Sequence, residues 1–111
     1  MDLVSFPRRF QVHLVSLDPA RGSEVRKTRP CVVISPDVMN SHLATVLVAP
    51  MTSTIKGWPS RVTLTFDGKQ GEIALDQIRA VDRTRLVRHL GAVEAKAADS
   101  VLVTLGKIFA K

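Results

Sequence analysis

A chain of 111 residues with sixteen Lys and Arg against ten Asp and Glu, a formal net charge of +6 and one cysteine is one domain's worth of sequence carrying surplus positive charge. The lone Cys31 excludes a disulfide framework or a multi-cysteine metal site and points to a reducing compartment. Met1–Arg9 holds no apolar stretch of signal-peptide length and eighteen apolar residues nowhere run together, so the chain reads as cytoplasmic with no membrane partner, its charge suiting nucleic acid or an acidic protein.

The sequence reads as a single domain, 1–111, of the α+β class and dominated by strands. Phe10 to Leu17 alternates as a first strand, ended by Asp18-Pro19. A charged loop, Gly22-Ser23-Glu24-Val25-Arg26-Lys27-Thr28-Arg29-Pro30, leads to a short apolar strand, Cys31 to Ser35. Ser35-Pro36-Asp37 starts a turn that opens one or two helical turns through Asn40, and Thr45 to Pro50 is the next strand. Residues 51–60 mix Gly, Pro and hydroxyl residues without periodicity, as a mobile surface loop does. Arg61 to Phe66 alternates cleanly, Asp67-Gly68 signals a hairpin, and Gly71 is available for a bulge or a positive φ before a strand from Glu72 to Ile78. Arg79 to Asp82 continues or bends that strand. Thr84 to Leu86 turns, and Val87 to Leu90 forms a last strand ended by Gly91. From Glu94 to Phe109, Ala98, Val101, Leu102, Leu105, Ile108 and Phe109 recur at the spacing of an amphipathic helix that covers the sheet, poorly capped at its start.

The charged loop reads as a phosphate site. Glu24 is its carboxylate, Arg29 is a guanidinium beside a proline, and Arg21, Arg26 and Lys27 add cations, a set that suits a phosphodiester better than a neutral metabolite. A Glu24–Arg29 surface pair at a strand entrance, with Thr52 a mere turn residue, explains the same residues without function. The three histidines, His13, His42 and His89, the side chains best suited to acid or base work near neutrality, stand in structural or exposed contexts. No His/Cys/Asp spacing suggests zinc, so neither metal nor other cofactor is expected.

In order and spacing, Leu17-Asp18-Pro19, Gly22-Ser23-Glu24, Thr28-Arg29-Pro30, Val33-Ile34-Ser35-Pro36, Asn40, Val48-Ala49-Pro50-Met51-Thr52, Lys56-Gly57-Trp58-Pro59 and Leu75-Asp76-Gln77-Ile78-Arg79 resemble the MazF/PemK toxin endoribonucleases. The resemblance implies a small SH3-like β-barrel of the MazF/PemK/CcdB kind with its C-terminal amphipathic helix, and a homodimer. It also implies sequence-specific, metal-free cleavage of single-stranded mRNA by 2′-hydroxyl attack, leaving 2′,3′-cyclic phosphate and 5′-hydroxyl ends. A cognate antitoxin would neutralise it, laying an acidic tail over the basic RNA groove. The family's catalytic arginine falls on Arg29, its threonine on Thr52 and the Gly-Ser-Glu carboxylate on Glu24. Ser23 and Ala74 stand where some PemK-type members have histidine and arginine, and Lys27 where many members have glycine.

In that frame Lys27 and Lys56 offer phosphate contacts, Trp58 a stacking face, and Asp76, Gln77 and Arg79 groups to read the edges of splayed bases. Two other classes compete. One is a CcdB-like poison of a protein target such as gyrase, against which the absence of the Trp-Gly-Ile ending of those toxins counts. The other is a barrel that binds RNA or protein without cutting, preferred if Arg29 is paired and buried.

Overall fold

The computed structural model describes residues 5–17 and 27–111. In chain order its elements are β1 (Gln11–Ser16), β2 (Thr28–Val33), the single-turn α1 (Asp37–Asn40), β3 (Thr45–Thr52), β4 (Arg61–Phe66), β5 (Lys69–Ala74), β6 (Arg79–Asp82), β7 (Leu86–Ala92) and α2 (Ala95–Ile108). Short 3-10 turns at Leu75–Gln77 and Arg83–Arg85 flank β6.

All pairings are antiparallel, and β3 organises them. On one edge it pairs with β2; on the other its first half pairs with β6 and its last two residues with β5. Strands β6-β3-β2-β1-β7 form a curled sheet, a half-barrel, and β5 and β4 continue from β3 as a hairpin at its far end. Both faces of the central strands are therefore covered. Inside the curl Val15, Leu17, Cys31, Val33, Val46, Val48 and Val81 pack together with Leu86 against them. Val81 and Leu86 flank the turn between β6 and β7, so the two edges of the curl converge on one cluster. On the other face Val12, Val32, Ile34 and Ala49 meet Val62, Leu64, Ile73 and Leu75 from the hairpin side and Val101 from α2. Each fully buried Val, Leu or Ile contributes about 1.5–3 kcal/mol.

Several local readings hold. The β4 alternation buries Val62 and Leu64 and exposes Thr63 and Thr65. Asp67 and Gly68 have φ of +52° and +76°, the pair of left-handed residues that a two-residue hairpin needs to match strand twist. Pro36 and Asp37 open α1, and Asn40 is buried, bonded to Ser35 and to the Pro7 carbonyl.

Other boundaries differ, each because a partner strand supplies hydrogen bonds that local polarity does not announce. Strand β2 starts at Thr28 and ends at Val33 instead of running from Cys31 to Ser35. Pro30 forces Arg29 into extended backbone, and Thr28–Pro30 then pair with Leu14–Ser16. Strand β3 runs on to Thr52, which pairs with Glu72, so the surface loop begins at residue 53. The expected strand from Glu72 to Ile78 is two strands: β5 must pair with one end of β3 and β6 with the other, and the turn at Leu75–Gln77 makes the corner. Gly71 serves neither bulge nor positive φ. A Cβ there would lie 2.6 Å from the Thr52 carbonyl oxygen, so glycine permits the close approach of β5 to β3. Gly91 lies within β7, beneath the Phe66 ring. The α2 stripe is covered only in part: Ala98 and Val101 are buried and Leu105 packs half-buried against the core, while Leu102, Ile108 and Phe109 remain exposed, the last at 79%.

Candidate functional site

The ladder between β2 and β3 ends with Cys31 paired to Pro50, and Arg29 and Thr52, each two residues beyond that pair, line one cleft. Across the other edge of β3, Thr52 pairs with Glu72. Arg29, Thr52 and Glu72, residues 43 positions apart at their extremes, thus lie on three successive strands around β3, and no local motif could have brought them there.

Arg29 and Thr52 open onto a cleft of about 440 Å³ whose walls also include Lys27, Lys56, Arg61, Gln77 and Arg79, with Leu17, Pro50 and Ala74 among its apolar residues. Five cations and, among the described residues, no carboxylate form its lining. Lys27, Arg29, Lys56 and Arg79 are exposed. The ion pairs among the described residues are Arg8–Asp37, Arg61–Glu72 and Arg61–Asp76; the exposed Arg29 belongs to none of these, and the Glu24–Arg29 pair lies outside the described residues. The half-buried Thr52 accepts the Thr54 backbone N–H on its Oγ1 at 3.1 Å, leaving its hydroxyl proton to donate into the cleft.

Of the six residues expected to bind RNA, Lys27, Lys56, Gln77 and Arg79 line this cleft. Trp58 and Asp76 do not; they connect to it through Arg61. Arg61 Nε donates to Asp76 Oδ1 at 2.8 Å and Nη1 to Glu72 Oε1 at 3.2 Å, and its guanidinium carbon sits 4.6 Å from the centre of the Trp58 ring. The Asp76 carboxylate also accepts from the Ser60 hydroxyl at 2.9 Å, so it is occupied within the protein, and bonds from Arg61, against the opposing effect of burial, hold its pKa below the usual range. Glu72 is completely buried. Burial pushes its pKa up, but N–H groups of Gly57 and Lys56 together with Arg61 outweigh that and keep it low, a carboxylate ionised in the interior and bonded on both oxygens. Arg61 and Glu72 were missed by sequence reasoning. Their signal was the hairpin centre at Asp67-Gly68, which pairs Thr63 with Glu72 and leaves Arg61 one diagonal step away.

Glu24, the expected base or orienting carboxylate, lies outside the described residues, as do Ser23, Arg21 and Arg26. Cys31 is buried, and desolvation pushes its thiol up to about 12 despite the nearby Arg29 and Arg79, so it is no nucleophile. His13 and His89 stack across β1 and β7 with ring centres 4.9 Å apart, and His42 bonds to the α1 backbone; none of the three lines the cleft.

A family model described as PemK-like, MazF-like toxin of type II toxin-antitoxin system matches residues 8–109. The chain is 40% identical over 98 residues, 79% of its own length and 83% of the relative's, to the Mycobacterium tuberculosis endoribonuclease MazF9. With the Escherichia coli endoribonuclease toxin MazF it shares 36% identity over 67 residues, 60% of each chain. Among solved structures, MazF from Deinococcus radiodurans superposes with a TM-score of 0.76 at 29% identity, covering 94% of this chain and 96% of that one. A MazE-MazF structure from the same organism gives 0.80 at 29% identity, over 92% and 94%.

Proposed function

The chain belongs to the PemK-like, MazF-like toxins of type II toxin-antitoxin systems, and from that membership we propose that the Arg29–Thr52 cleft is where it cuts single-stranded RNA without a metal. As a MazF-type toxin it is an endoribonuclease acting within a toxin-antitoxin pair. The single observation that supports the assignment to this cleft is that an exposed Arg29 and Thr52 line it together with Lys27, Lys56 and Arg79.

Cleavage by the 2′-hydroxyl requires that hydroxyl to lose a proton, the phosphorane to be stabilised and the 5′-oxygen to gain a proton. Arg29 takes the second task. Its planar fork holds two non-bridging oxygens, and a donor preorganised at a developing anion is worth about 3–4 kcal/mol. Thr52 donates its hydroxyl to the same phosphate and orients the scissile bond. Glu24 is the candidate base, or the group that orients Arg29. Lys27, Lys56 and Arg79 draw the backbone into the cleft, while Gln77 faces the splayed bases. The products are a 2′,3′-cyclic phosphate and a 5′-hydroxyl. The same cations suit the acidic tail of a cognate antitoxin, which would close the cleft by occupying it. The reading is completed by a cytoplasmic homodimer of single-domain protomers.

The test is to incubate the purified protein with a long single-stranded RNA in EDTA and map the ends. Cyclic-phosphate and 5′-hydroxyl ends are expected, with Arg29→Ala and Thr52→Ala each cutting at least about 100-fold more slowly while remaining folded. Intact RNA, loss of cleavage in EDTA, or near-native rates in both variants would overturn it.

A further inference from the structure

The loop of residues 53–60 rises from the end of β3 beside Thr52, and what holds it is an ion-pair relay in which Glu72 is completely buried. Glu72 Oε2 accepts the Gly57 N–H at 2.8 Å and Oε1 accepts Arg61 Nη1 at 3.2 Å. The Arg61 side chain is itself only 6% exposed. Its Nε and Nη2 grip both oxygens of Asp76 at 2.8 and 3.4 Å, and Ser60, at the loop's end, donates to the same carboxylate. A relay of one cation and two carboxylates therefore fastens the loop at Gly57 and at Ser60.

Such a relay is an inefficient way to gain stability. Apolar residues of similar volume in place of a buried ion pair are often neutral or stabilising, because the charges must be stripped of water, and Val62, Ile73 and Leu75 pack into an apolar cluster in the same hairpin and turn. What the relay supplies is geometry. The Arg61 guanidinium lies over the Trp58 ring at 4.6 Å from its centre, and Lys56 Nζ lies over the same ring at 5.7 Å. Trp58 remains 49% exposed, far from the burial of a core tryptophan. Lys56 and Arg61 also line the Arg29–Thr52 cleft, so the half-exposed indole is held by two residues of the cleft wall.

Building on the function proposed above, we propose that Glu72 and Arg61 are positioning residues for RNA recognition, locking loop 53–60 so that Trp58, backed by Arg61, presents its outer face to a nucleobase next to the cleft. Arg61 then contributes little net charge to the cleft, since two carboxylates neutralise it; its role is to orient a ring. Base stacking on a fixed aromatic loses less freedom on binding than stacking on a mobile one, so release of the relay weakens RNA binding more than it slows the chemistry at Arg29 and Thr52.

Trp58 is the only tryptophan in the chain, so its fluorescence reports the loop directly. The experiment compares wild type, Glu72→Gln, Trp58→Ala and the double variant for cleavage of a single-stranded RNA. It also follows fluorescence quenching by that RNA in the two proteins that keep Trp58. Glu72→Gln is expected to raise KM at least about fivefold with kcat within about twofold, to shift Trp58 emission to the red and to lose most of the quenching. Adding it to Trp58→Ala should raise KM no further, because the ring it positions is already gone. An unchanged KM in Glu72→Gln, unchanged Trp58 emission, or KM effects that multiply in the double variant would overturn the proposal. Should Glu72→Gln not fold, Arg61→Lys, which keeps the charge but loses the planar fork, is expected to show the same KM and fluorescence pattern and is refuted by the same outcomes. Quenching needs no cleavage, so a wild type that fails to cut in EDTA but is quenched by RNA would refute the mechanism and leave the positioning role standing.

Discussion

Replacing Gly71 by alanine tests whether the fold and the proposed site are joined where the structure joins them. The added Cβ would lie 2.6 Å from the Thr52 carbonyl oxygen, whereas ordinary contact begins at 3.4 Å, so β5 and β3 must separate by about 0.8 Å at that point. They are paired there, Met51 with Ile73 and Thr52 with Glu72, and the obstacle is backbone, which cannot rotate away. Overpacking of this kind costs about 1–3 kcal/mol, offset by about 0.4–1 kcal/mol because alanine restricts the unfolded chain more than glycine does. A net loss of about 1–2 kcal/mol is expected, too little to unfold a domain of ordinary stability. The larger effect is on catalysis. Thr52 itself moves, and displacement of a positioned group by about 1 Å costs about 100-fold in rate, so kcat/KM should fall about 10- to 100-fold. Urea unfolding gives the first quantity and single-turnover cleavage in EDTA the second. Gly68→Ala is the control. It sits at the hairpin tip with φ +76° and nothing within 4 Å, so its strain of about 1 kcal/mol lowers stability without touching the cleft. A Gly71→Ala protein that loses stability as expected yet cuts within about twofold of wild type would refute a catalytic Thr52.

Two further outcomes follow from single residues. Gly106 lies within α2 with open space where a Cβ would go, so Gly106→Ala should stabilise the protein by about 0.5–1 kcal/mol and leave cleavage unchanged; a lower Tm would contradict the helix. His13 has its pKa lowered from 6.5, first by burial and then by the facing His89, with Arg83 and Arg88 lining the same groove. The folded state therefore binds the proton less readily than the unfolded chain. This contribution is complete above pH 6.5 and is lost as pH falls below it, through the lowered folded value. His13→Gln should make the loss of stability between pH 7.5 and 5.5 shallower by urea unfolding, and an unchanged slope would exclude His13 as its source.

What could be read locally was read correctly where the physics is local. Asp67-Gly68 demands left-handed backbone whatever surrounds it, Thr63 and Thr65 alternate with Val62 and Leu64 in a strand with one wet face, and α2 announces itself by the recurrence of Ala98, Val101 and Leu105. The errors fall where a distant partner decides. Nothing near Thr28 signals that it will pair across β1. Nor does Ile78 signal that the chain must turn a corner before β6 can reach the other half of β3. Glu72 was legible only as the start of a strand, because a buried carboxylate is intelligible only with Gly57, Lys56 and Arg61 around it.

The same division runs through the function. The sequence alone determined a basic strand-rich chain with an ordered set of motifs resembling one toxin family, and with it the residue types on which the proposed phosphodiester cleavage rests, since side-chain chemistry travels with the residue. Only the tertiary structure decided that Arg29 and Thr52 line one cleft, that Lys56 and Arg79 share it while Asp76 is spent on Arg61, and that Gly71 is needed for β5 to approach. Those are matters of strand register, which is set by which faces of β2, β3 and β5 must be buried together, and burial is a property of the assembled sheet rather than of any stretch of chain.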